Sequence, residues 1–410
     1  MIYSSNLQNN NSSEILEKLS KAKELIIFGT GNYGMLVLGA LKKKNIKVDY
    51  FCDNNKSRWG KVYGGLKVIS PEDLKKTNNE TPILITSLNF PYIKRQLKDL
   101  GLSNYYDCDF LLSEINLDLK DCGVYWNERK AKEQLDLYLY SVRAQNEKKK
   151  FLKINTIDLV LTEKCSLKCK ECSNLMQYYS KPVDEDFEQL TNSLDTFMRT
   201  VDHVSEVRLI GGEPMLYKKI DLIIKQILNY KNFDKINIYT NGTIVLKDEK
   251  MKVFQNKKIM FEISDYGAIS RNVSKLENTL SRMGIPYITH RVSTWQDCAK
   301  MKSFERTESV NKSIFGNCCE NQGLTMLHGK LYLCPFSAHA TNLKGIPYAQ
   351  RDIVNIENKN KEVLKNEISK LYFETEYLEA CKSCNGRDHN VSKVEAAVQT
   401  KEPLKYEIVN

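Results

Sequence analysis

The sequence has no apolar run approaching the roughly 20 residues that a membrane-spanning helix needs. Runs such as LIIF and MLVLGAL stop far short. The opening residues, MIYSSNLQNNNSSE, have no basic n-region and no apolar h-region, so no secretion signal is expected. No basic stretch interleaved with aromatics points to nucleic acid. There is no internal repeat, and no low-complexity tract beyond Asn- and Lys-rich loops. These absences lead us to expect a soluble, cytoplasmic protein with neither nucleic acid nor membrane as partner.

The composition is that of a globular protein, with 41% hydrophobic and 27% charged residues. At ~150 residues per domain, 410 residues suggest about three domains. The net charge is +10, with lysine runs at Lys42–Lys44 and Lys148–Lys150 that read as solvated surface. A mild basic excess also suits a phosphate-bearing substrate.

Cysteine is plentiful, with 12 residues. Disulfides are disfavoured in a reducing compartment, so clustered cysteines point to metal or catalysis. Cys165, Cys169 and Cys172 form one group, and Cys318, Cys319, Cys334, Cys381 and Cys384 a second. Cys52, Cys108, Cys122 and Cys298 stand alone and read as small buried hydrophobes or inert thiols.

Ser12 or Ser13 is placed to cap a helix through EILEKLSKAK. ELIIF then reads as a buried strand running into GTGNYG, with a helix over NYGMLVLGALKKK, strands at KVDYF and TPILIT, and a helix at PYIKRQLKDLG. This βαβ alternation predicts a parallel sheet ending near Cys108. The charged stretch WNERKAKEQLDLYLYSVRAQNEKKK predicts a helix connecting domains, with Tyr138 and Tyr140 packing. A second β/α series follows, with strands at INTIDLVLT, EVRLI, KINIYT, KIMFEIS and PYITHR. That alternation predicts a closed or partly closed β/α barrel.

The loop CSLKCKECS follows the first barrel strand, at the end where such barrels carry their sites. Its C-x3-C-x2-C spacing can aim three thiolates at one place. A structural zinc or a filled [4Fe–4S] site wants four ligands. Three leave one iron open, or form part of a zinc site completed by a distant His or Cys.

The loop resembles the signature of the radical S-adenosylmethionine superfamily. The resemblance implies that Cys165, Cys169 and Cys172 hold a [4Fe–4S] cluster whose open iron binds S-adenosylmethionine. One-electron cleavage then gives a 5′-deoxyadenosyl radical that abstracts hydrogen, with the electron coming from a donor such as flavodoxin or ferredoxin. GGEP, Gly211, Gly212, Glu213 and Pro214, looks like the family's motif for the methionine amino group. Ser264 and Asp265 of SDYG stand where the family often binds the ribose, and Thr240 and Asn241 of YTNGT are further cofactor-binding candidates. One position departs from the family: the residue before the third cysteine, usually aromatic, is Glu171.

Gly329 reads as the hairpin turn between LTMLH and KLYLC, which would bring Cys319 and Cys334 together, with Cys381 and Cys384 closing a four-thiolate site. Cys318 can replace Cys319 as first ligand. The arrangement resembles the Twitch domain, the shorter form of SPASM, which implies a second, auxiliary [4Fe–4S] cluster. A zinc ribbon is the alternative.

In the N-terminal stretch G-x-G-x-x-G follows a strand, opens a helix and has Asp53 ~20 residues on, as a dinucleotide fold would. The run DNN…GLKVISPEDL resembles the nucleotide-sugar-binding domain of sugar acyltransferases. By that resemblance Gly29, Gly31, Asn32 and Asp53 would meet a nucleotide. NAD binding, or a Rossmann-like fold kept for packing or dimerisation, are the alternatives.

The expected architecture is α/β: a Rossmann-like domain at 1–115, a helical linker at 116–150, a partial (β/α)6 TIM-like barrel at 151–310, a Twitch-like domain at 311–390 and a tail at 391–410. The expected function is radical chemistry on a sugar, nucleotide sugar or cyclitol, ending in oxidation or epimerisation, in surface-polysaccharide or secondary metabolism. A peptide maturase of the same superfamily, or a non-catalytic iron–sulfur or zinc protein, are the alternatives. Cys298 could return hydrogen in an epimerisation, and His290 and Arg291 could face substrate from a strand end.

Overall fold

The structure is a computed structural model that describes residues 9–113, 128–146, 151–357, 360–388 and 390–409. Two compact units divide the chain, Met1–Asn146 and Glu147–Asn410. Cys122, Lys148–Lys150 and the Tyr140 side chain lie outside the described residues. No helix among the described residues is long and apolar enough to cross a membrane.

The first unit is a six-stranded sheet. Its strands are β1 (Ile26–Phe28), β2 (Tyr50–Cys52), β3 (Val62–Tyr63), β4 (Leu66–Ile69), β5 (Ile83–Ile85) and β6 (Tyr105–Asp107), in the order β3-β4-β2-β1-β5-β6. All pairs are parallel except the β3–β4 hairpin. β1 and β5 are buried at every position, as strands covered on both faces must be. The first helix, Asn9–Lys21, contains Ser12 and Ser13 in its body, so they do not cap it.

The helix Glu128–Asn146 is part of this unit's core and not a bare connector. Leu135, Tyr138 and Val142 fall on one face and are buried against the sheet. The Tyr138 hydroxyl donates to the Ile85 carbonyl at 2.6 Å and accepts from the Cys108 amide at 3.1 Å. Lys132 and Asp136 are exposed, and the many charges of the segment obscured this stripe in the sequence.

The second unit is built on one eight-stranded sheet. β7 (Lys153–Val160), β8 (His203–Ile210), β9 (Phe233–Thr240), β10 (Ile259–Asp265) and β11 (Tyr287–Arg291) run parallel and in sequence order. The helices between them present apolar stripes at helical spacing, such as Leu190, Leu194, Phe197 and Met198, or Ile220, Ile223, Ile224 and Ile227. Each such side chain removed from water contributes ~1.5–3 kcal/mol.

After β12 (Thr294–Gln296), the chain returns to the other side of β7. β13 (Gly323–Leu327) pairs with β7 in parallel, and β14 (Lys330–Tyr332) and β15 (Val354–Asn355) extend the sheet antiparallel. The order is β11-β10-β9-β8-β7-β13-β14-β15. Among the described residues no pairing joins its two edges. The hairpin expected at Gly329 is present between β13 and β14, and it belongs to the eight-stranded sheet itself. A last strand, β16 (Lys393–Glu395), pairs with β12.

Candidate active site in the second unit

The cysteine loop leaves the carboxyl end of β7, and Cys165, Cys169 and Cys172 line one cavity of ≈ 360 Å³. Gly211 and Gly212 after β8, Thr240 and Asn241 at the end of β9, and Ser264 and Tyr266 at the end of β10 line it too. This is the end of a parallel sheet where side chains from several strands meet.

The thiols are set among N–H donors. Leu167 N and Asn241 Nδ2 point at Cys165 Sγ at 3.5 and 3.6 Å, and Gln399 Nε2 points at Cys169 Sγ at 3.2 Å. Burial pushes the Cys169 thiol up to about 11 and raises those of Cys165 and Cys172. Thiols of this kind ionise when a cation binds them. Among the described residues no three Cys, His, Asp or Glu side chains close round one ion-sized point. A cluster takes each thiolate on a separate iron, and three thiols facing one cavity fit that demand.

The glycines of GGEP are required by the chain itself. A Cβ on Gly211 would lie 2.3 Å from the Thr162 carbonyl, and one on Gly212 would lie 2.2 Å from that of Lys164. Gly212 N and Glu213 N donate to those same carbonyls at 2.8 and 2.9 Å. The end of β8 is thereby clamped to the segment that launches Cys165.

Glu213 does not open onto the cavity, contrary to the sequence expectation. It is fully buried and accepts from Thr240 Oγ1 at 2.8 Å, Asn241 N at 2.8 Å and Met215 N at 3.1 Å. Burial lifts its carboxyl to about 7 against those donors. It is a tie between the ends of β8 and β9. Pro214 is buried in the turn that follows. Asp265 accepts from Gly267 N at 2.8 Å and holds its own turn, while Ser264 reaches the cavity. His290 pairs with Glu262 at 2.7 Å, and neither it nor Arg291 lines the cavity.

The same cavity has a wall of charge absent from the sequence expectation. Asp158 on β7 lies in register with Arg208 on β8, and the two are ion-paired. Arg208 also reaches Glu320 at 3.5 Å, and Arg387 holds the other Glu320 oxygen at 2.6 Å and the Ser173 hydroxyl. Burial raises the Asp158 carboxyl, with Arg208 acting against it. Trp295, Gln296 and Cys298 complete this side, and the Trp295 and Tyr266 rings meet edge to face at 5.5 Å. Asp158 and Arg208 were visible in principle, as charged residues inside the apolar runs TIDLVL and EVRLI. Glu171, at the usually aromatic position, bonds to Lys300 at 2.7 Å.

The second cysteine group also converges. Cys318, Cys334, Cys381 and Cys384 line a small apolar cavity of ≈ 30 Å³ with Phe315, Phe336 and Leu378. Cys318, not Cys319, is the fourth member. Cys318 ends the helix Glu308–Asn317 in an extended conformation, so the next side chain points the other way, and Cys319 is exposed beside Glu320. Cys298 lies near Cys384 while lining the larger cavity.

In the first unit, Gly34 must be glycine, because a Cβ there would lie 2.0 Å from the Gly29 carbonyl. Nothing lies within 4 Å of a Cβ placed on Gly31, and Asn32 opens the helix Asn32–Lys43. Asp53 is already engaged: its oxygens accept from Thr30 N and Asn55 N, each at 2.8 Å, and Arg58 stands 3.4 Å away. Its carboxylate braces the glycine turn.

Residues 159–264 match the domain of the Radical SAM superfamily. Such a domain implies a [4Fe–4S] cluster and S-adenosylmethionine. Residues 21–106 match the family described as C2185-like, N-terminal. Among curated proteins the chain is similar to GTP 3′,8-cyclase of Campylobacter jejuni subsp. doylei, 32% identical over 99 residues, which are 23% of this chain and 30% of that one. The chain thus spans under a third of that relative. It is also similar to GTP 3′,8-cyclase of Nautilia profundicola, 24% identical over 269 residues, 57% of this chain and 77% of that one. Among solved structures it is similar to BtrN in complex with AdoMet and 2-DOIA (TM-score 0.38, 17% identity, 63% of this chain and 99% of that one). Native anSMEcpe with bound AdoMet gives a TM-score of 0.37 at 14% identity over 56% of this chain and 88% of that one.

Proposed function

We propose that the chain is a radical S-adenosylmethionine enzyme that abstracts hydrogen from a carbohydrate-type substrate, a sugar, nucleotide sugar or cyclitol, with oxidation or epimerisation as the outcome. One observation carries this reading: the three thiols and the Asp158–Arg208–Glu320–Arg387 network face the same cavity.

When bound, a [4Fe–4S] cluster with S-adenosylmethionine supplies a hydrogen-abstracting radical. The chain's residues do the rest. Cys165, Cys169 and Cys172 supply three thiolates, and the N–H groups of Leu167, Asn241 and Gln399 stabilise the charge on sulfur. The backbone of Gly211 and Gly212 and the Ser264 side chain offer polar contacts for the amino-acid and ribose ends of the cofactor. Leu167, Tyr266 and Trp295 give apolar cover that keeps water from a reactive intermediate.

The charged wall supports a neutral, hydroxyl-rich substrate. Two carboxylates balance two guanidiniums, so hydroxyls find acceptors and donors without bringing net charge. A triphosphate would place uncompensated charge beside Asp158 and Glu320, which argues against the GTP of the relatives' name. The Cys318, Cys334, Cys381 and Cys384 set suits a second [4Fe–4S] cluster, which would supply an acceptor for the second electron of an oxidation. A flavodoxin- or ferredoxin-type protein would supply the first.

The test measures 5′-deoxyadenosine formed by anaerobically reconstituted protein with panels of sugars, nucleotide sugars and cyclitols, and with GTP. Stimulation by a member of the first three, lost in Arg208→Gln, is expected. Stimulation by GTP alone, or by none, would overturn the substrate class.

A further inference from the structure

We propose that the C-terminal tail is a functional part of the cysteine site: Gln399 is a positioning residue whose amide, hydrogen-bonded to the Cys169 sulfur, sets the reduction potential of the cluster the triplet holds. This inference rests on the radical-enzyme reading above.

The path of the tail carries the argument. β16 pairs with β12, and Ala397, in the left-handed region at φ 59°, turns the chain onto the cysteine loop and packs on Leu167 and Cys169. The two segments then exchange backbone bonds: Lys170 N donates to the Val398 carbonyl and Thr400 N to the Lys168 carbonyl, each at 2.7 Å. Beyond them Leu404 N donates to the Gln177 carbonyl at 2.8 Å, and Gln177 Nε2 reaches the carbonyls of Lys170 and Cys172, each at 3.1 Å.

Gln399 sits at the centre of this contact and uses both ends of its amide. Oε1 accepts from Lys168 N at 2.8 Å, and Nε2 donates to Cys169 Sγ at 3.2 Å and to the Ala397 carbonyl at 2.7 Å. Cys165 has two longer N–H contacts from its own side of the cavity, at 3.5 and 3.6 Å. The tail therefore makes the shortest of these N–H contacts to sulfur. A donor on a cluster sulfur stabilises the reduced, more negative state and raises the potential. An amide delivered by a segment 230 positions away ties that potential to the seating of the tail.

Two variants separate tuning from bracing. Gln399→Glu keeps an oxygen for Lys168 N and removes the N–H facing sulfur, and Gln399→Leu removes both. Each full-length protein is reconstituted anaerobically, its fold checked by circular dichroism and its iron counted. The electron paramagnetic resonance signal that changes on adding S-adenosylmethionine is then titrated against potential. We expect both variants to titrate at a more negative potential than wild type, with Gln399→Glu keeping its iron. A wild-type potential in both, or folded variants that bind no cluster, would make the tail a brace and overturn the inference. Absence of any S-adenosylmethionine-responsive signal in the wild type would instead overturn the radical reading, and this inference with it.

Discussion

Asp158 and Arg208 face each other across β7 and β8 as an ion pair buried in the wall of the cavity, with the Asp158 side chain 3% exposed. Neither charge is free: Arg208 is shared with Glu320, and Glu320 with Arg387. A network closed in this way holds its donors and acceptors in fixed directions, which is what recognition of several hydroxyls requires.

Removing one partner leaves the other buried and unpaired. Arg208→Leu is expected to destabilise the protein by about 3–5 kcal/mol, while Asp158→Leu/Arg208→Leu recovers a large part of that loss. Chemical denaturation of the two variants and the single Asp158→Leu checks this. A loss in the double variant equal to the sum of the two single losses would mean that the pair is not coupled.

Cys318 and Cys319 are adjacent in sequence and opposite in orientation. Cys318→Ser is expected to lower the iron content by about four per chain, the complement of one [4Fe–4S] cluster, and Cys319→Ser to leave it unchanged. Iron and sulfide counts on the two reconstituted proteins decide between them.

These two sites show how far local pattern reaches. Apolar runs alternating with amphipathic helices made the order β7 to β11 legible, because each strand and helix buries its own face. The C-x3-C-x2-C loop was legible for a similar reason, since its three cysteines lie within eight residues. Partners brought together only by tertiary contact were not. Nothing near Arg208 announces Glu320 or Arg387, and nothing in the tail announces its pairing with β12 or the reach of Gln399 to Cys169. Glu213 misled because an acid after two glycines resembles a ligand, and its true partners come from the end of β9. Cys318 and Cys319 could not be separated without the end of the helix before them.

His328 gives a pH dependence with a definite sign. Hydrogen bonding to Glu163, then to Glu185, raises its imidazole from 6.5 to about 9. The contacts are 3.2 Å to Glu163 and 3.0 Å to Glu185. The folded state therefore binds a proton that the unfolded state releases between those values. The added stability is full below about pH 6.5 and is lost as pH rises through about 9. His328→Asn, which tolerates the positive φ of 48° there, is expected to flatten that fall. Denaturation midpoints of both proteins from pH 6 to 9.5 test it, and parallel curves would refute it.

The most direct test of the account compares anaerobically reconstituted wild type with the Cys165→Ala/Cys169→Ala/Cys172→Ala variant. The account predicts about eight irons in the wild type and about four in the variant. It also predicts 5′-deoxyadenosine from S-adenosylmethionine under dithionite with the wild type alone. Zinc in place of iron, or no cleavage by a fully loaded wild-type protein, would contradict it.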